Sequence, residues 1–226
     1  MQPISLNLIA IGIFAMTMFA LLSPILNIPI ILPAGTTFAV MGLLTFDTLA
    51  WENRGVTLFV DLFSTAEQRE RVLYHEAGHF LTAYFLGIPI QGYSLTAWEA
   101  FRRQQPGQGG VQFDTTALEQ VGTQPNQVNL MLDRACTVWC AGIAAEILQY
   151  GKAEGGGDDR AQLQSVLNDF GYPQNQRQQK EEWAKLQAKS LIERNIEAYH
   201  ALVKVMRQRA SVETCEQMIQ NHSQVV

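Results

Sequence analysis

Ser64-Thr65-Ala66-Glu67-Gln68-Arg69-Glu70-Arg71-Val72-Leu73-Tyr74-His75-Glu76-Ala77-Gly78-His79-Phe80-Leu81-Thr82-Ala83-Tyr84-Phe85-Leu86-Gly87-Ile88-Pro89 reads as one helix with a marked start and a marked stop. Ser64-Thr65-Ala66-Glu67-Gln68 has the form of a capping box, and Gly87 followed by Pro89 ends the pattern. Val72, Leu73, Ala77, Phe80, Ala83, Tyr84 and Leu86 supply enough apolar surface to bury it. Residues four apart on a helix share a face, so His75 and His79 present both imidazoles to one side. Paired imidazoles at this spacing suit a zinc ion, with Glu76 between them.

With four histidines in 226 residues, a His-Glu-x-x-His match is not expected from composition. The bland reading is a packed helix whose histidines are satisfied by hydrogen bonds, with Gly78 allowing close approach of a neighbour. The chemical reading is sharper. Zinc supplies Lewis acidity, and a carboxylate beside it can take the proton of a water attacking a peptide carbonyl. Glu76 is therefore the candidate general base of a metal-assisted hydrolysis. Catalytic zinc usually keeps three protein ligands, so His75 and His79 need a partner. His200 sits in a charged helical stretch and His222 near the end of the sequence. Asp158 and Asp159 follow three glycines and open a helix, where N-capping is an equally good role for either.

The chain is 47% hydrophobic and 16% charged, and the excess is concentrated at the beginning. No Asp, Glu, Lys or Arg precedes Asp47. A bilayer core needs about 20 apolar residues per helix, so this stretch has room for two crossings. Ile4 to Leu22 is the first and Ala34 to Trp51 the second, joined by a turn carrying Pro24, Asn27, Pro29 and Pro33. The first lacks the basic start of a signal peptide. The expected organisation is a membrane anchor over 1–54, a juxtamembrane linker over 55–63 and a mostly α-helical metallopeptidase domain over 64–226. Arg54, Arg69 and Arg71 bias that domain toward the cytosolic face, although Glu52, Asp61, Glu67 and Glu70 are interspersed with them. The net charge of −5 comes without a basic patch, which gives nucleic-acid binding no support. Cys136, Cys140 and Cys215 have no metal-ligand company and read as small buried hydrophobes in a reducing compartment.

Val56 to Phe63 alternates weakly and reads as a linker at the membrane surface. Ile88 to Leu95 and Val111 to Phe113 read as short extended pieces, a small β hairpin or edge strand, around a polar Arg102 to Gly110 loop. Val128 to Tyr150 reads as one strong helix ended by Gly151. Gly155-Gly156-Gly157 leads into a further helix, Gln176 to Arg209 is helical with a solvated face, and Val212 to Asn221 forms a short last helix. No Gly-x-x-x-x-Gly-Lys-Ser/Thr phosphate loop occurs, so the sequence gives no sign of an ATPase.

Tyr74-His75-Glu76-Ala77-Gly78-His79, Gly110-Val111, Ala141-Gly142-Ile143-Ala144-Ala145-Glu146-Ile147 with Gly151, and Asp158-Asp159 together resemble the peptidase domain of the FtsH-type membrane-anchored zinc proteases, from about Ser64 onward. The resemblance implies a zinc site completed by the second residue of an Asn-Asp pair. That role falls on Asp159 and leaves Asp158 as a cap. It also implies that Gly110-Val111-Gln112 is an edge strand beside the zinc, holding unfolded substrate by strand addition. Two departures stand out: no ATPase module lies between anchor and peptidase, and the loop before Asp158 is one residue shorter and richer in glycine. The partners to expect are polypeptide substrates and, for the apolar N-terminal stretch, membrane lipid; a separate ATP-driven membrane protease and an oligomer of the chain are compatible with this reading. Stand-alone forms of this kind suggest a thylakoid or plasma membrane of a cyanobacterium or plastid, with the peptidase on the cytosolic or stromal face.

Two other readings compete. The His75 motif also resembles the first metal motif of intramembrane site-2 proteases, whose second motif is answered only by Leu132-Asp133-Arg134, with an arginine costly in a bilayer. A membrane-tethered chaperone or assembly scaffold that keeps the peptidase fold would tolerate Glu76→Gln.

Overall fold

A computed structural model of the chain describes residues 3–29, 31–50, 55, 58, 61, 63–103, 109–114 and 125–223. The structure is mostly helical with one small two-stranded antiparallel sheet. It divides into two units, Met1–Ser64 with Thr96–Gly109, and Thr65–Leu95 with Gly110–Val226.

The first unit holds helices α1 (Pro3–Leu22) and α2 (Ile31–Ala50), which contact each other. Ile31–Leu49 of α2 is long and apolar enough to cross a membrane. Its apolar side chains face outward: Phe38 is 81% and Leu49 82% exposed. The start of α2 lies earlier than Ala34 because Pro33, expected in the turn, fits its first turn, where a missing N–H costs no helical bond. Trp51 and most of the 55–63 linker lie outside the described residues. A helix the sequence reading missed, α4 (Ala97–Arg102), also belongs to this unit, with Thr96 accepting the Glu99 N–H at 3.1 Å. Positions 104–108 of the expected polar loop lie outside the described residues.

The second unit is built on α3 (Ala66–Phe85). Thr65, rather than Ser64, is its N-cap, and Thr65 and Gln68 exchange both bonds of a capping box. Gly87, at φ +68°, ends it as expected, with the Ile88 N–H returning to the Ala83 carbonyl. Next come β1 (Ile90–Ser94) and β2 (Gly110–Phe113), paired from Ile90 opposite Phe113 to Ser94 opposite Gly110, with an irregularity between Ile90 and Gly92.

The single helix expected over Val128 to Tyr150 is two, α5 (Pro125–Trp139) and α6 (Ala141–Tyr150). At the junction the Val138 carbonyl accepts a hydrogen bond from His79 Nδ1 at 2.7 Å. Likewise α8 (Gln174–Arg194) and α9 (Ile196–Arg207) replace one long helix, because the Asn195 amide bonds back to the Leu191 carbonyl at 2.9 Å and competes with helix continuation. Between these pairs lies α7 (Gly157–Asp169), and α10 (Val212–His222) is last.

Leu73, Ala77, Phe80 and Leu81 of α3 pack with Ala144 and Ala145 of α6, Ile192 of α8, Tyr199, Leu202 and Met206 of α9, and Ile219 of α10. Burying each large apolar side chain contributes about 1.5–3 kcal/mol, so this core fixes the position of α3. A second cluster joins Leu132, Cys136 and Cys140 to Leu163, Leu167 and Ala184. All three cysteines are free and buried. Burial pushes the Cys136 and Cys140 thiols up to about 12 and that of Cys215 up to about 11, which suits inert packing.

Candidate metal centre

A buried face of α3 meets α6 through small residues. A Cβ on Gly78 would stand 2.6 Å from the Ala145 Cβ and 2.7 Å from the Ala141 carbonyl oxygen, so the helices touch backbone to backbone. This contact carries His75 and His79 against α6 and the α5 end. Their rings lie 4.8 Å apart, and both residues are buried.

Each imidazole is held from behind. His75 Nδ1 lies 2.8 Å from Glu146 Oε1, and His79 Nδ1 donates to the Val138 carbonyl at 2.7 Å. Both Nε2 atoms then face Asp159, at 3.1 Å from His75 and 3.4 Å from His79. Among the described residues, ligand atoms of His75, His79 and Asp159 all lie within 4.8 Å of one another. Two imidazole nitrogens and a carboxylate oxygen, each imidazole oriented by an acceptor on its other nitrogen, form a donor set suited to zinc.

Charge points the same way. Burial acts to lower the His75 pKa, but hydrogen bonds to Asp159 and Glu146, with the charges of Glu76 and Asp159, outweigh it and raise it to about 10. Asp159 is likewise opposed by burial, yet the positive field of His79 and the bond to His75 hold its carboxyl well below the usual range. The cluster stabilises a positive charge where a divalent cation would sit.

Glu146 is the main residue of the site to which the sequence reading assigned no role. Besides His75, it accepts the N–H groups of Glu154 at 2.8 Å and Gly155 at 3.2 Å. These bonds, despite the opposing effect of burial, lower its pKa. It is also the only charged residue in the α6 sequence Ala141–Tyr150, a signal available from the start. By tying down the loop before α7, Glu146 sets where Asp159 arrives. Arg71, stacked 4.2 Å over the Tyr150 ring and 3.8 Å from Glu146, balances its charge.

Glu76 is not one of the three clustered residues but stands close enough for its charge to act on His75. Its Oε2 accepts the Val111 N–H at 2.9 Å. The Gly110 N–H goes instead to Ser94 Oγ at 3.0 Å and the Asp114 N–H to the Pro89 carbonyl at 2.9 Å. Since strand groups alternate, Gly110, Gln112 and Asp114 face β1, while Val111 and Phe113 face the other edge. Of the expected substrate-binding residues, Val111 therefore borders the site directly, Gly110 lies against the Glu76 carboxylate, and Gln112 pairs inward with β1.

Asp158 does not cap. The N-cap of α7 is Gly156, at φ +81°, without a side-chain cap bond, and Asp158 is exposed inside the first turn. His200 and His222 stand outside the cluster. Asp133, the aspartate that a site-2 arrangement would use, pairs with Lys180 instead. The sequence matches no protein-family model and no curated protein sequence.

Proposed function

We propose that this chain is a membrane-tethered zinc metalloprotease of the FtsH-type peptidase kind, hydrolysing peptide bonds of unfolded or membrane-associated polypeptides. The observation that carries the reading is the convergence of His75 Nε2, His79 Nε2 and Asp159 beside Glu76. His75, His79 and Asp159 would hold Zn²⁺. Zinc bound there supplies Lewis acidity toward water and a peptide carbonyl. Glu146 and the Val138 carbonyl keep the two rings aimed. Glu76 takes the proton of the attacking water and delivers it to the leaving nitrogen. Substrate lies along the outer edge of β2, where its carbonyl would compete with Glu76 for the Val111 N–H and so release the carboxylate for proton transfer.

The anchor in this reading is a hairpin of α1 and α2. Supporting it, both are 20-residue helices, and α1 carries no charged residue. Lipid then covers side chains such as Phe14, 66% exposed, and Phe38. The peptidase domain lies on the cytosolic or stromal face, and a separate ATP-driven membrane protease would supply unfolded chains. The test combines metal analysis with proteolysis of a casein-type substrate by wild type and Glu76→Gln, and carbonate extraction of membranes. Zinc, Glu76-dependent cleavage and retention in the pellet are expected. Zinc without Glu76-dependent cleavage would favour a scaffold, and release of the full chain by carbonate would remove the anchor.

A further inference from the structure

Trp98 and Phe101 stand one turn apart on α4, stack their rings at 5.9 Å and 22°, and are 57% and 39% exposed. Ala97 and Ala100 of the same helix are buried. We propose that α4 lies in the headgroup layer of the bilayer crossed by the α1–α2 hairpin, with Trp98 and Phe101 turned toward the acyl chains and Arg102 among anionic phosphates. The inference rests on the reading that the hairpin spans a membrane.

Its position argues for it. α4 belongs to the same compact unit as α1 and α2. Asp47, in the last turn of α2, accepts the Gly55 N–H at 2.7 Å, which brings the chain after α2 back against that helix. Further on, Asp61 accepts the Ala97 N–H at 3.2 Å and so holds the start of α4. From Gly55 to Asp61 the chain can span at most about 22 Å, so α4 is tethered within that reach of the end of the membrane helix. Phe63, just past Asp61, is a further exposed ring, at 51%.

The residue types fit that layer. Tryptophan favours the membrane interface because its ring is apolar while its indole N–H needs a polar partner. Two neighbouring rings left in water forgo the gain of burial, and the acyl boundary supplies it. Residues 96–110 carry Arg102 and Arg103 against Glu99 alone, one net positive charge, which complements anionic headgroups and opposes entry into the hydrocarbon core. With 6 residues α4 is too short to cross a bilayer, so lying on its surface is the membrane placement open to it.

The full-length chain is reconstituted in vesicles of phosphatidylcholine, with and without about 30% phosphatidylglycerol, containing lipids brominated either near the headgroup or at the chain end. The difference in emission between wild type and Trp98→Phe isolates Trp98 from the other tryptophans. Bromine near the headgroups should quench that signal more than bromine at the chain ends, and aqueous iodide should barely reach it. The share of the Trp98 signal open to iodide then reports the ratio of docked to free α4. Arg102→Gln should lower this ratio about fivefold in vesicles with phosphatidylglycerol and leave it unchanged in phosphatidylcholine alone. Phe101→Ser should lower it at least about threefold in both. Iodide quenching with no effect of either brominated lipid overturns the proposal, as does quenching strongest from the chain ends. Shielding from iodide that grows with the protein-to-lipid ratio, without quenching by bromine, assigns the rings to a second copy and overturns it too. Release of the full chain by carbonate removes the hairpin reading alone, because quenching of the same chain on vesicles still decides where Trp98 lies.

Discussion

If His75, His79 and Asp159 hold zinc as proposed, Gly142→Ala should abolish its binding although Gly142 contributes no ligand atom. A Cβ there would fall 2.2 Å from His75 Nε2, and 2.4 and 2.5 Å from the two neighbouring ring carbons. Ordinary heavy-atom contacts lie near 3.5 Å, so ring and helix must separate by about 1.3 Å. Neither has room. Glu146 holds the far side of the ring at 2.8 Å, and the Gly78 contact locks α3 onto α6. Overpacking of this kind costs about 1–3 kcal/mol, which in a domain of this size lowers Tm by roughly 2–12 °C. The new methyl also occupies the approach to Nε2. Disturbing only an orienting partner typically costs 10- to 100-fold in metal affinity, so obstructing the ligand atom should cost at least about 100-fold. Zinc competition against a chelator and thermal melts with and without zinc measure both effects. Gly157→Ala is the control, because its added Cβ meets nothing within 4 Å. If Gly142→Ala bound zinc within about threefold of wild type and melted normally, His75 Nε2 would not be the atom facing Asp159.

Glu146→Gln removes the charge behind His75 and should weaken zinc binding about 10- to 100-fold with the fold intact, measured by the same competition; unchanged affinity would reduce Glu146 to a loop anchor. Asp159→Asn should lose zinc and proteolysis, whereas Asp158→Asn, altering an exposed side chain, should keep both; metal analysis and casein turnover decide, and the reverse ranking would refute the assignment. In the metal-free protein the His75 pKa rises from 6.5 to about 10, so the folded state binds the proton more tightly than the unfolded chain. That stabilisation is complete below about pH 6.5 and fades as pH climbs through 10, so chelated protein should lose Tm across this window while zinc-loaded protein changes little; a Tm of the chelated form rising with pH would contradict it.

Helix α3 was legible because its local signals agree: capping box, apolar spacing, glycine stop and the paired histidines. The hairpin was legible from turn-rich punctuation around two short apolar runs. The break between α5 and α6 was not, since Cys140 carries no breaker chemistry and the Val138 carbonyl, two residues earlier, is engaged by a histidine 59 residues away in sequence. The other omissions had readable signals. Thr96-Ala97-Trp98-Glu99 has the capping spacing that opens α4, Asn195 is a residue that competes with helix backbone, and Glu146 is a lone carboxylate in an apolar helix.

The glycine run before α7 shows how loop chemistry fixes the register of Asp159, the proposed third ligand. At Gly155 a Cβ would stand 2.6 Å from Glu146 Oε1, and at Gly156 it would meet Ile143 Cγ1 at 2.2 Å on a backbone already at φ +81°. Only at Gly157 is a side chain free of collision. Gly155 therefore lets the chain pass close over Glu146 and Gly156 close over Ile143, and the left-handed turn at Gly156 starts the helix at once. Asp159 then falls at the third helical position, where the helix dipole favours a carboxylate, and faces both Nε2 atoms. Asp158, about 100° away around the helix, turns to solvent. A loop tightened by its glycines thus delivers the second aspartate of the pair, and the close passage over Glu146 ties the orientation of His75 to the arrival of Asp159 through one buried carboxylate.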